Sequence, residues 1–250
     1  MSLKLNKVAE ISLIFWLMKI VATTLGETLG DFLSMTMHLG YTVSLVYTFV
    51  FFLILVITQI SSKSFSSSLY WLVIVATTTL GTEISDYIDR SLGWGYTLGS
   101  LFLLTLLLST LYLWKKEVGN LNVYPIQNKK TEIFYWIAIL FSNSLGTAFG
   151  DYLSDVLNLP YIMGALVTLG IILIVLILHY KTKINVILLF WVAFIFTRPF
   201  GATFGDLLTK PVSNGGLDLG TLNATIVSVG ILLLFIGYTR FKRDPNSKAK

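Results

Sequence analysis

Long apolar runs separated by short polar stretches make up most of the chain. A membrane-spanning helix needs about 20 mostly apolar residues. Eight runs reach that length, at 10–32, 41–60, 69–87, 95–114, 133–153, 161–180, 185–208 and 219–239. They predict an all-α integral membrane fold of eight transmembrane helices. Most connections are short, so consecutive helices are expected to be antiparallel neighbours. The first run is followed by seven more and is expected to remain as an anchor rather than be removed as a signal peptide.

Superposed on the runs is an internal repeat. Four segments align without a gap: Trp16 to Asp31, Trp71 to Asp86, Trp136 to Asp151 and Trp191 to Asp206. In each, a Gly stands ten residues after the Trp, and an Asp follows at fifteen. The Asp-to-Asp periods are 55, 65 and 55, the extra ten residues lying in the polar loop at 115–132. The expected units are 8–62, 63–117, 128–182 and 183–240, with a basic tail at 241–250. Each unit holds two spans, so all four copies point the same way across the bilayer. A pseudo-fourfold ring and a pair of four-helix halves both satisfy this pattern.

Composition supports the lipid environment: 55% of the residues are hydrophobic and only 12% charged, against about 25% charged in soluble domains. The net charge of +5 is explained by topology rather than by nucleic acid. Of the 18 basic residues, fourteen fall on one side: Lys4, Lys7, Lys63, Lys115, Lys116, Lys129, Lys130, Lys181, Lys183, Arg240, Lys242, Arg243, Lys248 and Lys250. The opposite side has Arg90 and Lys210 alone, while Lys19 and Arg198 fall within spans. The positive-inside rule then puts both termini in the cytoplasm, next to anionic lipid. Lys19 is expected to snorkel to that interface. Trp94, Trp114, Tyr135 and Trp136 are expected as interfacial anchors.

The fourfold Trp-to-Asp pattern resembles a bacterial inner-membrane family of four tandem two-helix repeats, each with a Trp, long described as of unknown function. The resemblance covers residues 8–240. It implies location in the bacterial cytoplasmic membrane. Some relatives are associated with manganese efflux, so it also implies metal export as one activity.

The repeated polar residues carry the candidate chemistry. Asp31, Asp86, Asp151 and Asp206 lie about 22 Å along a helix from their Trp, toward the extracytoplasmic side of a core ~30 Å thick. Glu27 and Glu83 precede Asp31 and Asp86 by about one turn. Anions so placed must take up protons or bind cations. These six carboxylates are the candidate metal ligands, with Thr24, Thr79, Asn143, Ser144 and Arg198 as supporting polar groups. An all-oxygen set suits Mn, Mg or Ca as substrate, better than copper or zinc. Cysteine is absent, and no cofactor is expected. Gly26, Gly30, Gly81, Gly146, Gly150, Gly201 and Gly205 form small-xxx-small pairs, completed by Ser85. Such pairs permit close packing, or else unwinding of the helix beside the Asp. Trp16, Trp71, Trp136 and Trp191 are expected as interface anchors or packing plugs.

The fourth copy departs from the others. Arg198-Pro199 replaces Thr-Thr or Asn-Ser, and Ala202 stands at the position of Glu27. Arg198 is expected to neutralise an Asp of another copy or to act as a surrogate cation in the empty site.

The leading expectation is a secondary transporter for a divalent metal, manganese export being the first candidate. Protons would be the coupling ions at the same carboxylates, and the protein a monomer or homodimer. No G-x4-G-K-[ST] loop is present, so energy would come from ion gradients. A transporter or channel for another cation or a small organic solute uses the same residues equally well. An intramembrane enzyme finds no Ser/His or H-E-x-x-H support, and a scaffold would need no repeated Asp.

Overall fold

The computed structural model describes residues 6–243, the side chains of Lys242 and Arg243 excepted. Lys4, Lys248, Lys250 and the tail beyond residue 243 lie outside the described residues. Within them are eight long α-helices and no strand: α1 Leu13–Asp31, α2 Gly40–Ser61, α3 Ser67–Asp86, α4 Gly95–Val118, α5 Lys129–Asp151, α6 Tyr161–Lys181, α7 Val186–Thr209 and α8 Thr221–Arg243. Seven of the eight are long and apolar enough to cross a bilayer. The exception is α3, whose apolar run is broken by Thr77, Thr78, Thr79, Thr82, Glu83 and Asp86. The protein is an integral membrane protein.

The odd helices form the core. They begin at polar N-caps, where side chains of Ser12, Ser66, Asn128 and Asn185 accept from free backbone N–H groups of the first turn. Helix α1 packs on α3, α3 on α5, α5 on α7, and α7 back on α1, closing a cycle. The even helices lie outside, each against the inner helix of the following copy: α2 on α3, α4 on α5, α6 on α7 and α8 on α1. Their outward faces expose rows of apolar side chains such as Phe49, Leu101, Ile174 and Leu234, which lipid would cover. The expectation that consecutive helices are neighbours therefore holds at only three of the seven joints, α2 to α3, α4 to α5 and α6 to α7. Helices α1 and α2 meet chiefly through the π-helical turn Phe32–Thr36 between them. That turn swings α2 away from α1 and onto α3. Tyr87–Ser91 and Tyr152–Val156 are the matching π turns of the second and third copies.

Glycine sets how closely the inner helices approach. A Cβ added at Gly26 would lie 2.3 Å from Thr78 Oγ1 of α3, and one at Gly201 2.4 Å from Thr23 Oγ1 of α1. At Gly146 it would lie 2.5 Å from Arg198 Cβ, and at Gly81 3.0 Å from Asn143 Cβ. In each case the Gly ten residues after the Trp meets the residue seven after the Trp of the next copy. Gly30, Gly150 and Gly205 repeat the rule one turn on, against Thr82, Ala202 and Glu27. These glycines act through packing. The helices run unbroken as α-helix through all seven, and the change to π geometry begins only after the Asp.

The Trp end of the ring is closed by aromatic side chains. Every repeated Trp is preceded by Phe or Tyr: Phe15, Tyr70, Tyr135 and Phe190. Rings meet in unbroken succession from Phe15 through Trp71, Tyr70, Trp136, Tyr135, Trp114, Trp191 and Phe190 back to Phe15, with centroids 5.1–6.5 Å apart. A hydrogen bond of 2.6 Å joins the Tyr70 and Tyr135 hydroxyls. Trp71, Trp136 and Trp191 are buried and Trp16 half-buried, so the repeated Trp residues plug the ring. Trp114 and Tyr135 are likewise buried rather than interfacial, while Trp94 is exposed. Lys7, counted above among the loop cations, is buried instead. It donates to Glu132 and to the Ile60 carbonyl, tying the N-terminal segment to α5 and the end of α2.

Candidate functional site

Inside the ring, polar side chains are stacked between the aromatic plug and the repeated Asp residues. Nearest the aromatic plug, Lys19 Nζ donates to Asn143 Oδ1 at 2.9 Å and lies 4.2 Å from the centre of the Phe194 ring. Asn143 Nδ2 in turn donates to Thr77 Oγ1 at 3.1 Å. Lys19 is fully buried, 0% exposed, and does not snorkel: the ring offers its amine an amide oxygen and an aromatic face.

The next layer holds Arg198, also fully buried. Its Nη2 donates to Glu27 Oε2 at 2.8 Å and to Thr82 Oγ1. Arg198 thus pairs with a Glu of another copy, not with an Asp.

Beyond it lie the four Asp residues, all buried, and they fall into two pairs. Arg90 reaches Asp86 at 3.2 Å and Asp151 at 3.4 Å. Lys210 reaches Asp206 at 3.1 Å and Asp31 at 2.7 Å. The pairs differ in two respects. The guanidinium is also held by the hydroxyls of Tyr41 at 2.9 Å and Tyr96 at 3.1 Å, whereas Lys210 Nζ donates to carboxylates alone. The Lys210 pair moreover has a third carboxylate beside it. Glu27, Asp31 and Asp206 each offer an oxygen within 4.8 Å of the others. Lys210, just past the end of α7, feels opposing influences. Burial lowers its pKa, but Asp206 and Asp31 outweigh that and hold it above the ordinary lysine value.

The remaining expected residues sit elsewhere. Glu83 stands one position further along its helix than Glu27 does, about 100° round the axis. It accepts from Ser44 of α2 instead of facing the ring. Thr79 lines an apolar crevice with Tyr47, Thr48 and Phe51 of α2. Thr24 and Thr79 hydroxyls have no partner among the described residues, and Ser144 donates to its own helix at Leu140. Of the supporting set, Asn143 and Arg198 reach the ring's polar interior.

Lys210 is the site residue that the sequence reading passes over, leaving it on the outer side; Arg90 is expected only at the rim, as one of the few cations within reach of the carboxylates. The signal was present, since each stands four residues after the repeated Asp, on the same helical face. Tyr41 and Tyr96, each ten residues after a repeated Asp, join Arg90 through their hydroxyls.

The model of the family described as Repeat of Unknown Function (DUF347) matches the chain four times, at residues 14–65, 69–117, 134–185 and 189–244. The chain belongs to this family. Searches of curated proteins and of solved structures returned no match.

Proposed function

We propose that this DUF347 protein is a secondary transporter for a hard divalent cation, with manganese export the first candidate. In this reading all eight helices span the bilayer, with α3 sheltered among α1, α2 and α5. The four copies are related about an axis along the membrane normal. The basic loops face the cytoplasm, as do both termini, and the membrane is a bacterial inner membrane.

One observation carries the reading: three buried carboxylates converge, Asp31 and Asp206 on the Lys210 ammonium, with Glu27, held by Arg198, offering an oxygen within 4.8 Å of theirs. Three such anions in a low-dielectric setting repel one another unless a cation lies among them. Lys210 supplies that cation in the substrate-free protein. Oxygen donors at this spacing suit Mn, Mg or Ca. An arriving divalent ion displaces the tethered ammonium, and departure of the ion lets it return. Arg90 keeps Asp86 and Asp151 occupied permanently, because a guanidinium does not deprotonate and here has four partners. The ring accordingly offers one exchangeable site rather than four. Protons exchanging at the same carboxylates remain the proposed coupling ions.

A second reading is a carrier for a small organic solute bearing both charges. It is favoured by the stacking of buried Arg198 and Lys19 directly beyond the carboxylates.

The test is thermal stability of the purified chain against Mn, Mg, Ca, Zn and organic cations. A ligand that binds only the folded state raises stability by RT ln(1 + [L]/Kd). A Mn shift lost in Asp31→Asn and Asp206→Asn supports the metal site. A shift produced by organic ions alone selects the second reading.

A further inference from the structure

The two innermost charged layers hold more positive charge than negative. Lys19 and Arg198 are both 0% exposed. Among the described residues, Lys19 makes no ion pair at all. Its amine has one acceptor, the Asn143 amide oxygen, and the Phe194 ring. Arg198 uses only Nη2, on Glu27 and Thr82. Its Nε and Nη1 are buried with no partner among the described residues. Within these two layers Lys19 and Arg198 thus face one carboxylate, Glu27, and several of their N–H groups have no acceptor among the described residues.

Each of these conditions is costly in a membrane interior. An unsatisfied buried N–H forfeits its hydration without return, and neighbouring buried cations repel each other. A single monovalent anion relieves both at once. It offsets the local surplus of these two layers, and it accepts from Arg198 and Lys19 without needing a donor of its own. A divalent anion would overshoot the balance.

We propose that the layer between Lys19 and Arg198 is a binding site for one small monovalent anion, chloride being the ion of matching charge and hydrogen-bonding character. The site is separate from the carboxylates Asp31 and Asp206, and the proposal stands whether or not those take a metal. It makes the ring a stack of opposite charges, with an anion toward the aromatic plug and cations toward the Asp layer.

The experiment is thermal stability of the full chain in detergent, without divalent metal, in sodium chloride or bromide against sodium gluconate at equal ionic strength. The expected result is a saturable rise of about 3 °C in chloride and in bromide. Lys19→Met is expected to abolish that rise. In gluconate the variant should melt no lower than the unaltered chain, because the surplus charge is gone. Equal melting in all three salts overturns the proposal, since Lys19 is then an uncharged amine and water serves Arg198. A halide shift that survives in Lys19→Met also overturns it, by placing the ion elsewhere. If Lys19→Met does not fold, anomalous diffraction from bromide-soaked crystals of the unaltered chain decides. A bromide peak between Lys19 Nζ and Arg198 supports the site, and its absence overturns it. Loss of the manganese response in Asp31→Asn bears on the transport reading and leaves this result untouched.

Discussion

Arg90 and Lys210 occupy the same place in their copies, each four residues beyond the repeated Asp, and each bridges to the Asp of the following copy, Asp151 and Asp31 respectively. They stand in alternate copies of a four-membered ring. The chain has thereby laid a twofold arrangement of charge over a fourfold arrangement of helices. The two members are chemically unequal, an Arg with two tyrosine partners and a Lys with none.

That inequality predicts opposite outcomes for two substitutions at one position. Lys210→Met removes the tethered competitor and should tighten manganese binding at least about tenfold, equivalent to ~1.4 kcal/mol. Lys210→Arg should abolish binding by installing the fixed clamp of the other pair. Titration calorimetry on both variants checks this, and equal affinities would sink the displacement mechanism.

Asp86→Asn should behave unlike Asp31→Asn and Asp206→Asn. It leaves Arg90 with one carboxylate fewer, and so should cost stability, on the order of 3 kcal/mol for a broken buried pair. The manganese-dependent rise in melting temperature should nevertheless persist in it. Loss of that rise in all three variants would mean that the four Asp residues act as one site.

Glu27 and Arg198 should be strongly coupled. Glu27→Gln strands a buried guanidinium and should cost about 3–5 kcal/mol. The double variant Glu27→Gln with Arg198→Met should recover most of that loss. Chemical denaturation of the four proteins in a double-mutant cycle measures the coupling, and additive losses would contradict the pairing.

Alanine substitutions should sort the glycines by packing. Gly26→Ala and Gly201→Ala, where the new methyl lands on backbone and Cβ atoms of the next helix, should cost at least ~1–3 kcal/mol. Gly170→Ala and Gly237→Ala, with nothing within 4 Å, should be neutral or slightly stabilising. Melting temperatures of the four variants are the check.

The pH response of Lys210 follows from the sign of its shift. Its folded-state pKa is raised, so its contribution to stability is fully present below the unfolded value of about 10.4. It is lost only as pH rises through the higher folded value. The melting difference between the unaltered chain and Lys210→Met should therefore stay constant from about pH 7 to pH 9. Any change in manganese binding over that range belongs to carboxylates.

Much of the architecture was legible because a repeat converts one residue pattern into four constraints. The Trp-to-Asp register picked out the helices that became the inner ring. The Gly positions marked their contacts. The failures share one physical cause: spacing along a helix was weighed without direction around it. Glu83 and Glu27 look alike as acids about one turn before an Asp. One residue of difference turns Glu83 toward Ser44 and away from the ring. Hydropathy likewise ends a span where charge begins, so it leaves Lys210 on the outer side and Arg90 at the rim, although helical geometry returns both to the carboxylates behind them. The order of helices in the ring was not legible, because loop length limits how far a helix can go and not which neighbour it meets.

The outer helices have a consequence for how the molecule is made. In linear repeat arrays each unit rests on the one before it, and growth can stop at any cap. Here each outer helix rests on the unit that follows, and α8 of the fourth copy covers α1 of the first. A chain of only two or three copies would lack both α7 and α8, the partners that cover one flank of α1, so the packing of the first copy depends on the fourth.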